Sequence, residues 1–378
     1  MSQQQGDWPA ARFVHLPGGC RAINNPGPEV DFLPVALNGK HAHINLRAYA
    51  TIYADLERLG LPIIGIDFCS HILEVEERIP PNWRVYHKSP ITAWPATDVA
   101  TKWARIGHGA HERKNGRLWD LASRISHQMR VCSWRLREIS EAYRKQLFAH
   151  VCDGEFRDGQ RFEDGFTWLA YLSIQSFLVD ACVLRDYLAE FAAHFIYGPR
   201  ACSKKVSVTS MAGLKKVFLD KSGDSDVLSM SLREAVGEGG WLQKLGNYRD
   251  LVVHSAPLAK AQHKLLAVTE VLKLGESGGL PSVKCPIPDN PQVISSARAK
   301  GDYFENFTIQ FETFIGAAAG SVQNRDGLIY AHEALGRLAL LSASLSDNSP
   351  VPPEMLVLNE SDLLGPVQII HVQATSKC

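Results

Sequence analysis

Between Leu118 and Tyr143 apolar residues return at alternating threes and fours: Leu118, Ala122, Ile125, Met129, Cys132, Leu136, Ile139 and Tyr143. A helix puts residues three and four apart on one face, so this spacing dictates a long amphipathic helix with a continuous apolar seam, running from about 115 to Val151. A helix of that length cannot bury its seam alone. The chain must supply partners, and that favours a mainly α fold.

A second long helix is predicted from about Phe166 to Tyr197, ended by Gly198-Pro199. It is apolar nearly all round, as a central bundle helix is. Its length would permit a membrane span, but Gln175 and Asp180 interrupt it, so a buried core helix is the reading and no membrane is expected. Asp186, Glu190 and His194, each four apart, form one stripe, read as a bundle-edge face. Shorter helices are expected at Met211 to Leu219, capped by Ser210, at Val227 to Val236, and at Trp241 to Val253. After Pro257 a further helix should reach about Leu274, ended by Gly275.

The flanks differ. Residues 1–98 are rich in proline and glycine and read as a smaller α/β or irregular region, with a strand-like alternation at His41 to Leu46, a helix within Arg47 to Leu59 and a buried strand in Pro62 to Phe68. His41 and His43 would share a strand face, but with no third ligand nearby they read as packing or surface groups. His108 and His111 resemble paired ligands only superficially, because the neighbouring glycines argue against a helix there. Residues 276–300 carry Pro281, Pro286, Pro288 and Pro291 and read as a linker or long surface loop. Residues 301–378 read as an α+β extension: a phenylalanine-bearing segment from Phe304 to Phe314, a helix from Asp326 to Ser344, and two closing strands, Met355 to Leu358 and Val367 to Val372. The division is thus 1–98, 99–275, 276–300 and 301–378.

Formal net charge is zero, so nucleic acid could be attracted only by a local patch. One exists. Between residues 100 and 150 eleven lysines and arginines face four carboxylates. Arg130, Arg137 and Arg144 are its candidate phosphate-binding groups, although such a stripe can equally be a helix face balanced by acids elsewhere. Eight scattered cysteines, none in a two-residue pair spacing, and an N-terminus without a signal-peptide pattern point to the cytoplasm.

The stretch Asn247-Tyr248-Arg249-Asp250-Leu251-Val252-Val253-His254, followed by Pro257, carries the chemistry. On an α-helix Asp250 and His254 share a face, while Arg249 and His254 lie about 140° apart, so they meet only through the long arginine side chain or through a partner. Pro257 should kink the helix just after the histidine. An arginine, a polar residue, three more residues and a histidine resemble the signature of the HEPN superfamily, and the order of helices over 115–275 is similar to its bundle.

That resemblance implies a HEPN-like helical bundle and a metal-independent endoribonuclease that cleaves RNA by 2′-OH attack, as toxin and antiviral defence effectors do. In that scheme Arg249 holds phosphate, His254 moves the proton and Asp250 orients them. Tyr248 and Asp180 are expected to help bind substrate, with Arg249 or Arg185 as the cation opposite Asp180. A second acid/base would come from a homodimer with a composite site, to which the Leu118–Tyr143 seam is one candidate contributor. No metal or cofactor is expected. An antitoxin or defence-system partner is compatible, but the tyrosine two residues beyond the histidine that marks the antitoxin-paired kind is Ala256 here. The competing expectation is a non-catalytic helical module that binds RNA or protein, or dimerises. Without the resemblance, an ion pair and a hydrogen-bonded histidine on one helix would be the plainer reading of Arg249, Asp250 and His254.

Overall fold

The computed structural model describes residues 11–24, 28–46, 48–89, 91–152, 156–202, 207–223, 225–255, 266–274, 278–299 and 325–355. The fold is mainly α with some sheet. Strands β1 (Ala11–His15), β2 (Arg21–Asn24), β3 (Glu29–Leu33) and β4 (His43–Asn45) come first, then α1 (Ile52–Arg58), β5 (Gly65–Cys69), α2 (Ile72–Val75) and β6 (Asn82–Val85). These strands form one antiparallel sheet in the order β4-β3-β2-β1-β5-β6. The N-terminal region is therefore a regular sheet, not an irregular one.

Helices α3 (Pro95–Glu112) and α4 (Gly116–Cys152), strand β7 (Arg161–Phe162) and helix α5 (Gly165–Phe191) follow, the last continuing as a π-helical turn, Ala192–Ile196. Then come α6 (Met211–Leu214) with its own π turn, Lys215–Leu219, α7 (Val227–Val236) and α8 (Trp241–Asp250) with a third, Leu251–Ser255. The expected caps are present: Ser210 Oγ accepts from Gly213 N at 3.2 Å.

Two expectations fail. The described end of the segment expected to be helical, 266–274, is not: β8 (Ala267–Lys273) pairs with β7 and with β9 (Gly279–Lys284). Val268, Thr269 and Val271 give this run a period-two, β-branched character that an apolar count had masked. The expected linker 276–300 carries β9, β10 (Pro286–Ile287) and α9 (Pro291–Ala299), with Leu280, Cys285 and Ile287 fully buried. After them come β11 (Arg325–Asp326), paired with β10, and α10 (Gly327–Asp347), N-capped by Asp326, whose Oδ2 accepts from Ile329 N at 3.1 Å. Phe304 to Phe314, Pro257 and the two closing strands beyond Met355 lie outside the described residues.

Helix α3 also corrects the reading of 107–111. Gly107 and Gly109 sit inside it because a Cβ there would press on Ser123 Oγ at 3.3 Å and Val351 at 3.0 Å. They permit close packing, which outweighs their cost in a helix.

The predicted seam of α4 is completely buried inside the chain: Leu118, Ala122, Ile125, Met129, Cys132, Leu136, Ile139 and Tyr143 have no exposure. It packs this bundle and is not available to a second copy. Helix α5 is long and apolar enough to cross a membrane, yet half of its apolar window is buried within the protein, against α4, α8 and α10.

The sheet docks on α4 through charges. Asp67 on β5 receives a fork from Arg137, Nε and Nη2 each at 2.8 Å, and a third bond from His15 Nε2 at 3.0 Å. His15 Nδ1 meets Ser140 Oγ at 2.9 Å. Since ionised Asp67 can only accept, Nε2 carries the imidazole proton and Ser140 donates to Nδ1. Arg21 pairs with Glu141, and Arg144 bonds Glu141 at 2.9 Å and Glu77 at 2.7 Å. Burial raises both acids, but His15 and Arg137 hold Asp67 well below its usual range, and Arg21, with His15, Arg144 and Arg137 behind it, brings Glu141 down to about 2. Two glycines of the β1–β2 turn complete the joint. Gly18 and Gly19 have φ of 66° and 83°, and a Cβ on Gly19 would lie 2.6 Å from the Tyr143 carbonyl oxygen.

Removing one side of a buried ion pair typically costs about 3–5 kcal/mol. Asp67→Ala should therefore lower the unfolding free energy by roughly that amount in urea titrations, and a loss below about 1 kcal/mol would refute this account of the joint. A pH dependence follows as well. Burial and Arg21 lower His15 to about 4, and burial with neighbouring His87 lowers His332 to about 3, against 6.5 for the free group. The unfolded chain thus binds two protons that the folded chain refuses, so their stabilisation is complete above pH 6.5 and is lost on acidification. Asp326, raised by burial from 3.8 to about 6, acts oppositely, its stabilisation being lost as pH rises through 6. Two protons against one leave a net loss, so urea midpoints should fall from pH 7 to 5.5 to 4.5.

Candidate functional site

The motif sits where α8 changes its winding. Gly240, extended at φ −63° and ψ 152°, starts the helix, and Leu242, Leu245 and Tyr248 bury its inner face. Leu251–Ser255 then forms a π turn. A turn closed by i→i+5 bonds winds less per residue than an α turn, so it swings residues five apart toward a common face. Arg249 and His254 are five apart, and the 140° that an α-helix would put between them is reduced. The two other π turns carry no such pair, so the turn alone does not define a site.

Both groups reach solvent. Arg249 is about one-third exposed, with a side-chain exposure of 32%, and His254 is exposed. Asp250 turns to its neighbour, Arg249 Nη1 lying 3.2 Å from Asp250 Oδ1. Behind Arg249 stands α5. Burial raises the Cys182 thiol, and the charges of Arg185 and Arg249 oppose that rise. Gly246 lets Arg185 through, since a Cβ there would lie 2.7 Å from Arg185 Nη1. Arg185 is bound to Asp186 at 3.0 Å and is a second cation near the motif that sequence reasoning did not place there. The signal was a glycine one turn before Arg249. Asn247 Nδ2 bonds Gln292 Oε1 of α9 at 3.3 Å, so the former linker walls the motif helix.

The remaining candidates do not converge on this point. Tyr248 is fully buried, its hydroxyl donating to the Pro288 carbonyl and its ring lying 4.6 Å from that of Tyr330. Its place is in the core, where a substrate does not reach it. Asp180 takes neither Arg249 nor Arg185. Its carboxylate accepts from Arg135 Nε at 2.8 Å and Gln128 Nε2 at 3.1 Å, pinning α5 to α4. Arg137 and Arg144 are spent on Asp67, Glu141 and Glu77, with side-chain exposures of 18% and 21%. The stripe Asp186, Glu190, His194 is likewise engaged: Arg124 reaches Glu190 at 3.4 Å and Arg117 reaches His194 at 2.9 Å. Arg130 differs. It is exposed, and among the described residues it has no carboxylate partner.

Among the described residues one set of side chains has metal-ligand spacing: His15, Asp67 and Glu141, whose ligand atoms lie within 4.8 Å of one another. Arg21, Arg137 and Arg144 already point into it, so a divalent cation would meet three guanidinium groups. The trio is better read as the anionic half of the sheet joint.

His254 is exposed, so His254→Ala should change the unfolding free energy by less than about 0.5 kcal/mol, whereas Arg249 also bonds the buried Cys182 thiol, so Arg249→Ala should cost up to about 1 kcal/mol. Tyr248→Phe, which strands a buried carbonyl, should cost about 1–3 kcal/mol. Thermal and urea unfolding of the three variants checks this, and a motif variant as costly as Tyr248→Phe would make the motif structural. Comparison with protein-family models, with curated proteins and with solved structures found no match.

Proposed function

We propose that this chain is a metal-independent endoribonuclease of HEPN-like architecture, acting in the cytoplasm, with Arg249 and His254 as its reacting pair. The observation that carries the reading is the π turn beneath the motif, which narrows the angle between an arginine and a histidine five apart, both of which reach solvent. Cleavage within an RNA strand needs a base to take the 2′-OH proton, a cation to stabilise the pentavalent phosphate and an acid to protonate the leaving oxygen. His254 can exchange protons, and Arg249 can grip phosphate oxygens through its planar fork. Asp250, bound to Arg249, fixes that fork.

One histidine cannot hold both proton roles at once. A second copy of the chain, its His254 facing the first across a shared cleft, would complete the acid/base pair. Val253, 51% exposed beside His254, gives such a contact an apolar element. The role in growth arrest or phage defence, and any antitoxin or defence-system partner, rest on the resemblance alone. The second reading, a non-catalytic helical module, keeps support from Arg130 but loses Arg137 and Arg144, which are committed inside the protein.

Induced expression should slow growth and degrade bulk RNA for the wild type, whereas Arg249→Ala and His254→Ala should grow normally with intact RNA. Purified protein should cleave unstructured RNA in excess EDTA, with losses of at least about 100-fold in each variant. Mixing the two inactive variants should restore part of the activity if the site is shared between copies. Intact RNA in cells making folded wild type, and none cut in vitro, would defeat the proposal.

A further inference from the structure

Helices α3 and α4 do not close over their whole length. They leave a groove of about 520 Å³ whose lining includes His108 and His111 from α3 and Trp119, Ser123, His127 and Arg130 from α4. A second recess of about 180 Å³ continues past Arg130 and reaches Trp134 and Trp83 beside the sheet. On α4 the positions 119, 123, 127, 130 and 134 are three or four apart, so they share the one face that α3 leaves uncovered.

Three features of this trough are unusual for an idle surface. First, it holds large aromatic groups in the open: Trp119 is 47% exposed and Trp134 40%. They stand fifteen residues apart, about 22 Å along the helix. Second, Arg130 lies between them and has no carboxylate partner among the described residues. The arginines around it on α4 are engaged: Arg124 with Asp120 and Glu190, Arg135 with Glu138 and Asp180, Arg137 with Asp67. Third, no acid lines the groove among the described residues. Glu112 stands at its mouth, 3.6 Å from His111, and Glu354, which senses His108, is held by Arg113. What remains is a set of imidazole, hydroxyl and guanidinium donors between two indole faces.

We infer that this α3–α4 groove binds a short segment of single-stranded RNA, with bases against Trp119 and Trp134 and a phosphate on Arg130. Successive bases stack on aromatic side chains while a cation follows the backbone, and neither contact demands a particular sequence. His108, His111 and His127 supply donors for neighbouring phosphate and ribose oxygens. A mononucleotide could satisfy only one of the two indoles, since they are too far apart for one base, so the strand is the ligand that uses the whole trough. A transition metal is the poorer fit, because the three histidines do not bring their ring nitrogens within 4.8 Å of one another. The site is distinct from the Arg249–His254 motif and does not depend on whether that motif cleaves.

The test is fluorescence anisotropy with a labelled 2′-O-methyl oligouridylate, which 2′-OH chemistry cannot cut, titrated with the full chain. Arg130→Glu and the double variant Trp119→Leu, Trp134→Leu should each weaken binding by about ten-fold or more. The salt dependence of the affinity should also become shallower for Arg130→Glu. Lys145→Gln, at an exposed position of α4 that lines neither recess, should bind within about two-fold of wild type. Circular dichroism of each variant guards against misfolding, and Arg130→Lys, which retains the charge, should bind nearly as the wild type does. Equal affinity of wild type and Arg130→Glu overturns the inference, as does a probe displaced equally well by uridine monophosphate and by unlabelled strand, or competition by zinc at the histidines. Binding without cleavage of ordinary RNA would leave this site standing while removing the nuclease reading. Cleavage untouched by the groove variants, with unchanged binding, would do the reverse.

Discussion

The fork from Arg137 to Asp67 is the interaction on which the rest of this architecture depends. A carboxylate with 3% of its side chain exposed is tolerable only if opposite charge and directed donors replace the water it has lost. Arg137 supplies both, and His15, held neutral by burial, adds a third donor without adding charge. The pair fixes β5 against the middle of α4. It thereby sets the β1–β2 turn at Gly18-Gly19 close against Tyr143, and Trp83 Nε1 against the Ser133 carbonyl at 2.8 Å. A sheet that would otherwise be a separate layer is keyed to one register on a 37-residue helix.

The same helix distributes its charge by direction. Toward the sheet, Arg137 and Arg144 meet Asp67, Glu141 and Glu77. Toward α5, Arg124 and Arg135 meet Glu190 and Asp180. The local excess of basic residues is therefore mostly the complement of acids brought in from other elements, as the neutral net charge requires. Among the described residues Arg117, Arg130 and Lys145 of this helix have no carboxylate partner, and of the three it is Arg130 that lies in the α3–α4 groove.

The parts of this fold legible in the sequence were those with a strong local period. The 3-4 spacing gave α4 its limits and its buried seam, and Ser210 announced its helix by capping chemistry. What period could not show was partnership. The basic stripe reads the same whether it faces RNA or Asp67, because that choice is made by a residue seventy positions away. Tyr248 sits within the motif and looks functional, yet its face of α8 is set by Pro288 and Tyr330, which lie on segments read as linker and extension. The proline-rich run 276–300 misled for a related reason: Pro281 and Pro286 sit in short strands at the margin of small sheets, where a missing donor is tolerated.

The motif itself was legible, but its geometry was not, because α-helical spacing separates Arg249 from His254. A π turn is a less favourable winding, kept where the surroundings hold it in place. Here the inner face supplies that hold: Leu245, Tyr248 and Leu251 are fully buried, so the start of the wider turn is anchored while Val253 and His254 face outward. Had Tyr248 been the substrate-facing group, this anchor would be missing and the turn would be free to relax to α. The burial that removes Tyr248 from the list of binding residues is therefore the same burial that holds the wider turn between the arginine and the histidine. Relaxing it, by shortening the residue at 248 or 251, should separate the pair without touching either of them.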